Sequence, residues 1–233
     1  MYNKNFAEIY NKEWFKFSET IADNVLKITS SFNSVLDLGC GTGNFLKKLE
    51  KHFKKTVGID ISKDMIEVAK SNCKKTQFYV KSVTNFSLDE KFNLITCNFD
   101  MVNHLDSIKD WEKMFKLAYN HLEEDGVFLF DINTIYKYGK LNSFESHNET
   151  QNYNMVTKET KIDDNHIRIN VKIFDKKGNE LAHIDEIESF YDEKVILTSL
   201  NNAGFKNVTF ADIELNAVDN FEKNRLFIIC KKK

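Results

Sequence analysis

The residues best suited to chemistry stand in Leu36-Asp37-Leu38-Gly39-Cys40-Gly41-Thr42-Gly43 and, about twenty residues further on, at Asp60. Val35 to Leu38 reads as a buried strand. Three glycines at alternate positions follow, and a helical pattern begins at Thr42. Glycine admits backbone angles closed to other residues and lets a ligand approach the main chain. The helix that follows offers free N–H groups at its start. A turn of this kind, at the carboxyl end of a parallel strand, binds a nucleotide-like ligand. The spacing is Gly-x-Gly-x-Gly, whereas the pyrophosphate fingerprint of nicotinamide enzymes is Gly-x-Gly-x-x-Gly. Asp37 aims a carboxylate at the turn, which suits a ligand with a cationic amine better than a diphosphate. Asp60 lies at the end of Val57-Gly58-Ile59-Asp60-Ile61, where an acid accepts hydrogen bonds from two ribose hydroxyls.

The elements that must position these groups follow from periodicity. Phe6 to Ser30 reads as one or two amphipathic helices, and most of its aromatic rings form a stripe packed on a sheet. Strands are expected at 34–38, 57–61, 77–80, 92–97 and 127–132, with helices at 42–52, from Ser62 onward, at 108–122 and at 192–203. Ser62 is a suitable N-cap. Met65 stands either against an adenine or in the core. From about 135 to 190 the alternation of strand and helix gives way to period-two patterns, with Asp163-Asp164-Asn165 and Lys176-Lys177-Gly178-Asn179 as hairpin turns. The expectation is a three-strand antiparallel insert with one apolar face over the site. A closing antiparallel pair is expected at 208–213 and 226–230. The fold class is α/β: a doubly wound, Rossmann-like seven-stranded sheet with an antiparallel insert after strand five. Residues 1–134 and 191–233 form its core and 135–190 the insert.

Leu36 to Gly43 resembles motif I of class I S-adenosylmethionine-dependent methyltransferases, whose usual form is close to LDLGCGTG. The resemblance runs through Asp60, the loop after strand three and the segment after strand four, in the family's order across residues 35 to 105. It implies that S-adenosylmethionine is bound by Asp37, Gly39, Cys40, Gly41, Gly43, Asp60, Ile61, Met65, Ser82, Val83 and Asn98. Ser82 stands where the family commonly has aspartate. An N-terminal helix often folds over the cofactor as a lid, which brings Tyr2, Tyr10 and Trp14 toward the site. Asn98 to Leu105 lacks the proline signature of base-amine methylation. The whole chain is similar to the small-molecule branch that includes amino-sugar N,N-dimethyltransferases. There, segments matched by Tyr2 to Tyr10 and by Asn103-His104-Leu105 approach the substrate amine, which makes Tyr2 and His104 the candidate catalytic residues. His104 has an intrinsic pKa suited to a general base; the alternative is a histidine that packs beneath the substrate.

Composition narrows the remaining choices. The chain of 233 residues, 42% hydrophobic and 29% charged, is ample for one α/β domain. Its formal net charge of −2 gives no bulk attraction to nucleic acid or an anionic membrane. The lysine runs at 54–55, 74–75 and 231–233 fall at element edges and read as solvated surface. No segment approaches a membrane span and no leader is apparent at the start. Cys40, Cys73, Cys97 and Cys230 form no Cys-x-x-Cys pair and read as reduced and buried. The six histidines show no metal-binding spacing. The expectation is a cytoplasmic monomer or homodimer acting on a small-molecule acceptor, an amine or hydroxyl, with no metal, nucleic-acid or membrane partner. Competing readings are a nucleic-acid or protein methyltransferase, a non-catalytic S-adenosylmethionine-binding protein and a nicotinamide oxidoreductase.

Overall fold

The computed structural model describes residues 2–138 and 142–232. Met1, Lys233 of the last lysine run, and residues 139–141 of the expected insert lie outside the described residues. Two helices open the chain, α1 (Lys4–Glu13) and α2 (Phe15–Ile28). A seven-stranded sheet is then built from β1 (Ser34–Leu38), β2 (Lys55–Asp60), β3 (Gln77–Val80), β4 (Phe92–Cys97), β5 (Leu122–Asn133), β10 (Asn207–Ala211) and β11 (Arg225–Lys231). Its order is β10-β11-β5-β4-β1-β2-β3, and β11 runs antiparallel to both neighbours. Helices α3 (Asn44–Leu49), α4 (Lys63–Asn72), α5 (Ile108–His121) and α6 (Glu193–Ala203) supply the crossovers.

The sheet is buried on both faces, which explains its near-continuous apolar strands. Along β5, Phe128, Phe130 and Ile132 face one core with Trp111 and Phe115, while Val127 and Leu129 face the other with Ile21, Val25 and Leu46. Strand order reverses between β1 and β4, and the carboxyl ends of those two strands frame the crevice that doubly wound sheets use for ligands. Expected and observed strands agree within a few residues, apart from β5, which starts at Leu122. The helix expected at 42–52 is only α3, six residues long.

The insert has four strands, not three: β6 (Ser143–Glu149), β7 (Tyr153–Lys161), β8 (His166–Asp175) and β9 (Glu180–Ser189), paired antiparallel in that order. The added strand, β6, has the sequence SFESHNE and is mostly exposed, so no apolar alternation marks it. Seven register pairs with β7 hold it as the edge strand of the insert.

Asn103, fully buried, fastens this insert to the sheet. Its Nδ2 donates to the carbonyls of Asn133 at 3.0 Å and Ser189 at 2.9 Å, and its Oδ1 accepts from the Asn133 amide at 3.0 Å. Those residues are where the chain leaves β5 and where β9 ends. Trp111 Nε1 donates to Ser189 Oγ, which in turn donates to the Leu105 carbonyl. Asn103→Ala leaves three buried backbone groups unpaired, so it is expected to cost at least about 2 kcal/mol. Urea unfolding should show this as a lower midpoint, with faster amide exchange in β9. A midpoint equal to wild type would show that the attachment lies elsewhere.

Candidate active site

Gly39 and Gly41 border the crevice. Gly39 has φ +70°, and a Cβ there would lie 2.3 Å from Cγ of Met101. Gly43, at φ +74°, is the left-handed residue from which α3 starts. The amides of the turn are already used within the protein. Gly39 and Cys40 both donate to the Ile59 carbonyl, Gly43 donates to Cys40, and Gly41 donates to Asp60 Oδ2 at 2.9 Å. Those four amides are therefore not free for a ligand. What the turn provides instead is bare backbone and a fixed Asp60, whose other oxygen accepts from Ser62 at 2.8 Å.

Asp37 also differs from expectation. It is 3% exposed, accepts from Thr96 Oγ1 at 2.7 Å, and does not border the cavity. Burial pushes its carboxyl up to about 7, against the hydrogen bond from Thr96. It lies beneath the turn, off the cavity lining. Cys40 and Gly43 likewise stand behind the wall.

The cleft has two connected halves that share Tyr2, Gly39, Asp60, Met101, His104 and Glu186. One half, about 460 Å³, is lined by Asp60, Ile61, Ser82 and Val83. Ile61 is 64% exposed there, an apolar side chain at a strand end with nothing of the protein covering it. The other half, about 380 Å³, is bordered by Tyr10, Trp14, Met65, Asn98, Asp100, Glu188 and Arg225 among others. Met65 thus lies on this second side. Asn98 is 3% exposed and sets its amide beside the buried Asp37 carboxyl.

The roof comes from α1 and from the insert. Tyr2, Phe6, Tyr10 and Trp14 recur every four residues, so they share one face of the N-terminal segment. Their rings follow one another at 4.8, 5.9 and 6.1 Å. All four border the cavity, including Phe6, which the sequence assigned to the stripe on the sheet. Asn5 Nδ2 reaches the Leu181 carbonyl on β9 at 3.1 Å and closes the roof.

Glu186 joins the two candidate catalytic residues. Tyr2 Oη donates to its Oε2 at 3.1 Å, and His104 Nδ1 lies 3.4 Å from its Oε1. Burial and the Glu186 carboxylate keep the Tyr2 hydroxyl protonated. Burial alone would lower the His104 pKa, but the bond to Glu186 outweighs it and lifts the imidazole to about 9. A pKa near 9 favours the charged imidazolium, a donor and a cation, at neutral pH. Its folded pKa exceeds the ordinary 6.5, so the pair stabilises the fold fully below about 6.5 and loses that contribution as pH rises through 9. His104→Gln is therefore expected to lower the melting temperature at pH 6, with the gap to wild type closing by pH 9.5. A gap constant from pH 6 to 9.5 would contradict the charged pair.

The insert face over the cavity is not the expected apolar one. It presents Met155, Thr157, Glu159, Val171, Glu186 and Glu188. Glu188 is 3% exposed, accepts from Tyr138 Oη at 3.3 Å, and is pushed up to about 7 by burial and by Asp100. In the sequence the only sign was the pair of acids at alternate positions in Ile184-Asp185-Glu186-Ile187-Glu188.

A second unforeseen group holds the loop after β4. Phe99 and Asp100 both have positive φ, 65° and 49°, a costly conformation for non-glycine residues. Asp131, fully buried at the carboxyl end of β5, accepts from both of their amides, at 2.6 and 3.1 Å. Arg225 bridges Asp131 and Asp100 at 2.7 Å each and lies over the Phe17 ring. Asn133 donates to Asp100 as well.

Comparison with known proteins agrees with this geometry. Residues 35–126 match the family model described as a methyltransferase domain. The chain is 28% identical over 138 residues to a dTDP-3-amino-3,4,6-trideoxy-alpha-D-glucopyranose N,N-dimethyltransferase of Streptomyces venezuelae, covering 56% of this chain and 58% of that protein. It is 31% identical over 161 residues to a malonyl-[acyl-carrier protein] O-methyltransferase of Bacillus anthracis, covering 66% and 54%. The chain spans about half the length of the curated relatives it matches. A solved S-adenosylmethionine-dependent methyltransferase from Clostridium acetobutylicum superposes with a TM-score of 0.82 at 28% identity over 97% of each chain. Residues 35–126 thus carry a methyltransferase domain, and the chain is similar in fold and sequence to class I S-adenosylmethionine-dependent methyltransferases, amino-sugar N,N-dimethyltransferases among them. S-adenosylmethionine is the cofactor of that class. The Asn98 amide on the cavity wall, the exposed Ile61 and the fixed Asp60 fit such a ligand.

Proposed function

We propose that this protein transfers a methyl group from S-adenosylmethionine to a small-molecule acceptor, an amine or a hydroxyl. The observation that supports it best is the shape of the cleft. A half with Asp60, Ile61, Ser82 and Val83 opens, past Gly39 and Met101, into a chamber roofed by α1 and the insert. A roofed chamber of about 380 Å³ accommodates a metabolite, not a folded macromolecule or a duplex.

In this reading Asp60 holds the ribose, Ile61, Ser82 and Val83 hold the adenine, and Asn98 with the turn at Gly39 and Gly41 faces the amino-acid part. Asp37, Cys40 and Gly43 support the turn from behind. Tyr10 and Trp14 cover the ligand. When bound, the cofactor supplies a methyl already activated on a sulfonium, so no protein nucleophile is required. The chain's own task is to align the acceptor and exclude water. Tyr2 and His104, both tied to Glu186, orient the acceptor as donors. The core at 1–134 and 191–233 binds cofactor, and the insert at 135–190 shapes the acceptor chamber.

The relatives' names point to sugars and to an acyl-carrier substrate. No described helix is long and apolar enough to cross a membrane. The four cysteines are free and buried, in keeping with a reducing, cytoplasmic setting. The test is incubation of the protein with methyl-labelled S-adenosylmethionine and a cell extract, followed by separation of dialysable from macromolecular material. Label in the dialysable fraction is expected. Label confined to RNA or protein would contradict the proposal.

A further inference from the structure

The strained pair Phe99 and Asp100 is set into the junction of the two halves of the cleft. Asn98, before it, borders the cleft; Met101 and His104, after it, belong to the wall that both halves share. Met101 lies on the bare backbone of Gly39. A Cβ on that glycine would stand 2.3 Å from its Cγ and 2.9 Å from its Sδ. Phe99 is edge-on to the Phe17 ring at 5.1 Å and 6.4 Å from the Tyr10 ring of the roof. Positive φ at 99 and 100 sets the direction of the chain between these two contacts. Phe99, a bulky residue, is of a type poorly suited to that conformation.

The conformation is held from behind. Asp131 is fully buried, borders neither half of the cleft, and gives one carboxylate oxygen to each strained amide, at 2.6 and 3.1 Å. Arg225 spans Asp131 and Asp100 at 2.7 Å to each, and Asn133 also donates to Asp100. The Asn103 amide donates to the Asp100 carbonyl at 2.8 Å. Asp131, Asn133 and Arg225 stand on the paired strands β5 and β11, so the support is sheet and not loop. A site held by rigid elements keeps its geometry more closely than one held by loops.

We infer that Asp131 is a positioning residue for methyl transfer: with Arg225 it holds the strained pair, and through that pair it fixes Met101 and His104 at the junction where acceptor meets methyl group. This rests on the methyl-transfer reading above. In the transfer the acceptor's lone pair forms the new bond to the methyl carbon, the carbon–sulfur pair stays on sulfur, and the acceptor's proton passes to solvent. Neither Asp131 nor Arg225 exchanges atoms or electrons in that step. They fix the line along which it runs, and a displacement of about 1 Å in such a line costs about a hundredfold in rate.

The experiment compares wild type with Asp131→Asn and Arg225→Lys. Asparagine keeps one acceptor oxygen for the two amides, and lysine lacks the fork that spans two carboxylates. Leu200→Ala controls for lost stability, being a fully buried truncation on α6, which contributes no residue to the cleft lining. All assays run below the unfolding transition of the least stable variant. Methyl-labelled S-adenosylmethionine is turned over with the dialysable fraction of a cell extract, titrated to saturation, as the source of acceptor. Calorimetry gives S-adenosylhomocysteine affinity, and amide exchange by nuclear magnetic resonance reports on Phe99 and Asp100.

In Asp131→Asn the rate at saturation is expected to fall at least about tenfold, with the half-saturating amount of extract and the S-adenosylhomocysteine affinity within about threefold. The Phe99 and Asp100 amides should exchange at least about tenfold faster, having lost a charged acceptor. Arg225→Lys should change in the same direction, and Leu200→Ala should keep the wild-type rate. Faster amide exchange with an unchanged rate overturns the positioning role, as does an equal fall in Leu200→Ala or a loss of cofactor affinity to match the fall in rate. Unchanged exchange in Asp131→Asn overturns the hold on the strained pair. Because Arg225 itself borders the cleft, a higher half-saturating amount of extract in Arg225→Lys with the saturated rate kept would mean that it meets the acceptor directly, and would overturn its share in the positioning. Each of these results leaves methyl transfer standing. No label with wild type overturns methyl transfer to a small molecule and the positioning role with it.

Discussion

Arg225→Ala is expected to destabilise the protein by about 3–5 kcal/mol, because it strips the cation from a fully buried carboxylate. For a chain of this size that is a fall in melting temperature of about 6–20 °C. Asp131 is already pushed up to about 6, burial raising it and Arg225 opposing the rise. Without the guanidinium its folded pKa climbs further above the unfolded value. A buried acid with a raised pKa costs stability as pH increases past the unfolded pKa, since ionisation is then opposed only in the folded state. The deficit of the variant should therefore be larger at pH 8 than at pH 5, where Asp131 can hold a proton. Adding Asp131→Asn to Arg225→Ala should recover part of the loss, a coupling that a double-mutant cycle reads directly. Thermal unfolding of the four proteins at the two pH values is the check. A deficit under about 1 kcal/mol, or one independent of pH, would mean that the bridge to Asp100 and Asp131 is not what holds the turn at Phe99.

Asp60→Ala carries the second large effect, and it concerns ligand affinity. Asp60 fixes the turn through Gly41 and Ser62 and borders both halves of the cleft. Burial raises its pKa and the amides of Ser62 and Gly41 oppose that rise, so two donors favour its charged form. Each hydrogen bond from a ribose hydroxyl to a charged acceptor contributes about 1.5–3 kcal/mol. Losing both should weaken S-adenosylhomocysteine binding by at least about 100-fold. Asp60→Asn, which keeps an acceptor oxygen, should lose less. Circular dichroism separates weakened binding from unfolding. Equal affinities in Asp60→Ala and wild type would remove the ribose role.

The parts of this site that were legible in the sequence are those fixed by local backbone. Asp37, the glycines and Asp60 sit at strand ends, and a strand followed by a glycine turn identifies itself within a dozen residues. Ser82, Val83, Asn98, Tyr10 and Trp14 came from the family resemblance, and all of them border the cavity. Residues that act across the fold were not legible. Glu186 meets Tyr2 across 184 positions, and Arg225 meets Asp131 across 94. Neither partner shows a spacing that would announce the other. The four-residue repeat of Tyr2, Phe6, Tyr10 and Trp14 was visible, yet which way that face turned depended on Asn5 docking on β9. Polar β6 gave no alternation because both of its faces are largely wet. The insert face over the cavity was expected to be apolar because a sheet covering a core usually is. Here it covers a chamber, and chambers that recognise polar molecules carry polar groups. The electrostatic setting of His104 was not legible either: its intrinsic pKa suits a base, but the Glu186 carboxylate beside it raises that pKa to about 9.

Every role assigned here depends on occupancy of the crevice between β1 and β4 by the sulfonium nucleoside or its demethylated product. Calorimetric titration of folded wild-type protein with S-adenosylhomocysteine measures that occupancy. Saturable one-to-one binding in the micromolar range or tighter, abolished in Asp60→Ala, is the expected result. Absence of heat at two temperatures, with no change in melting temperature at saturating ligand, would contradict it.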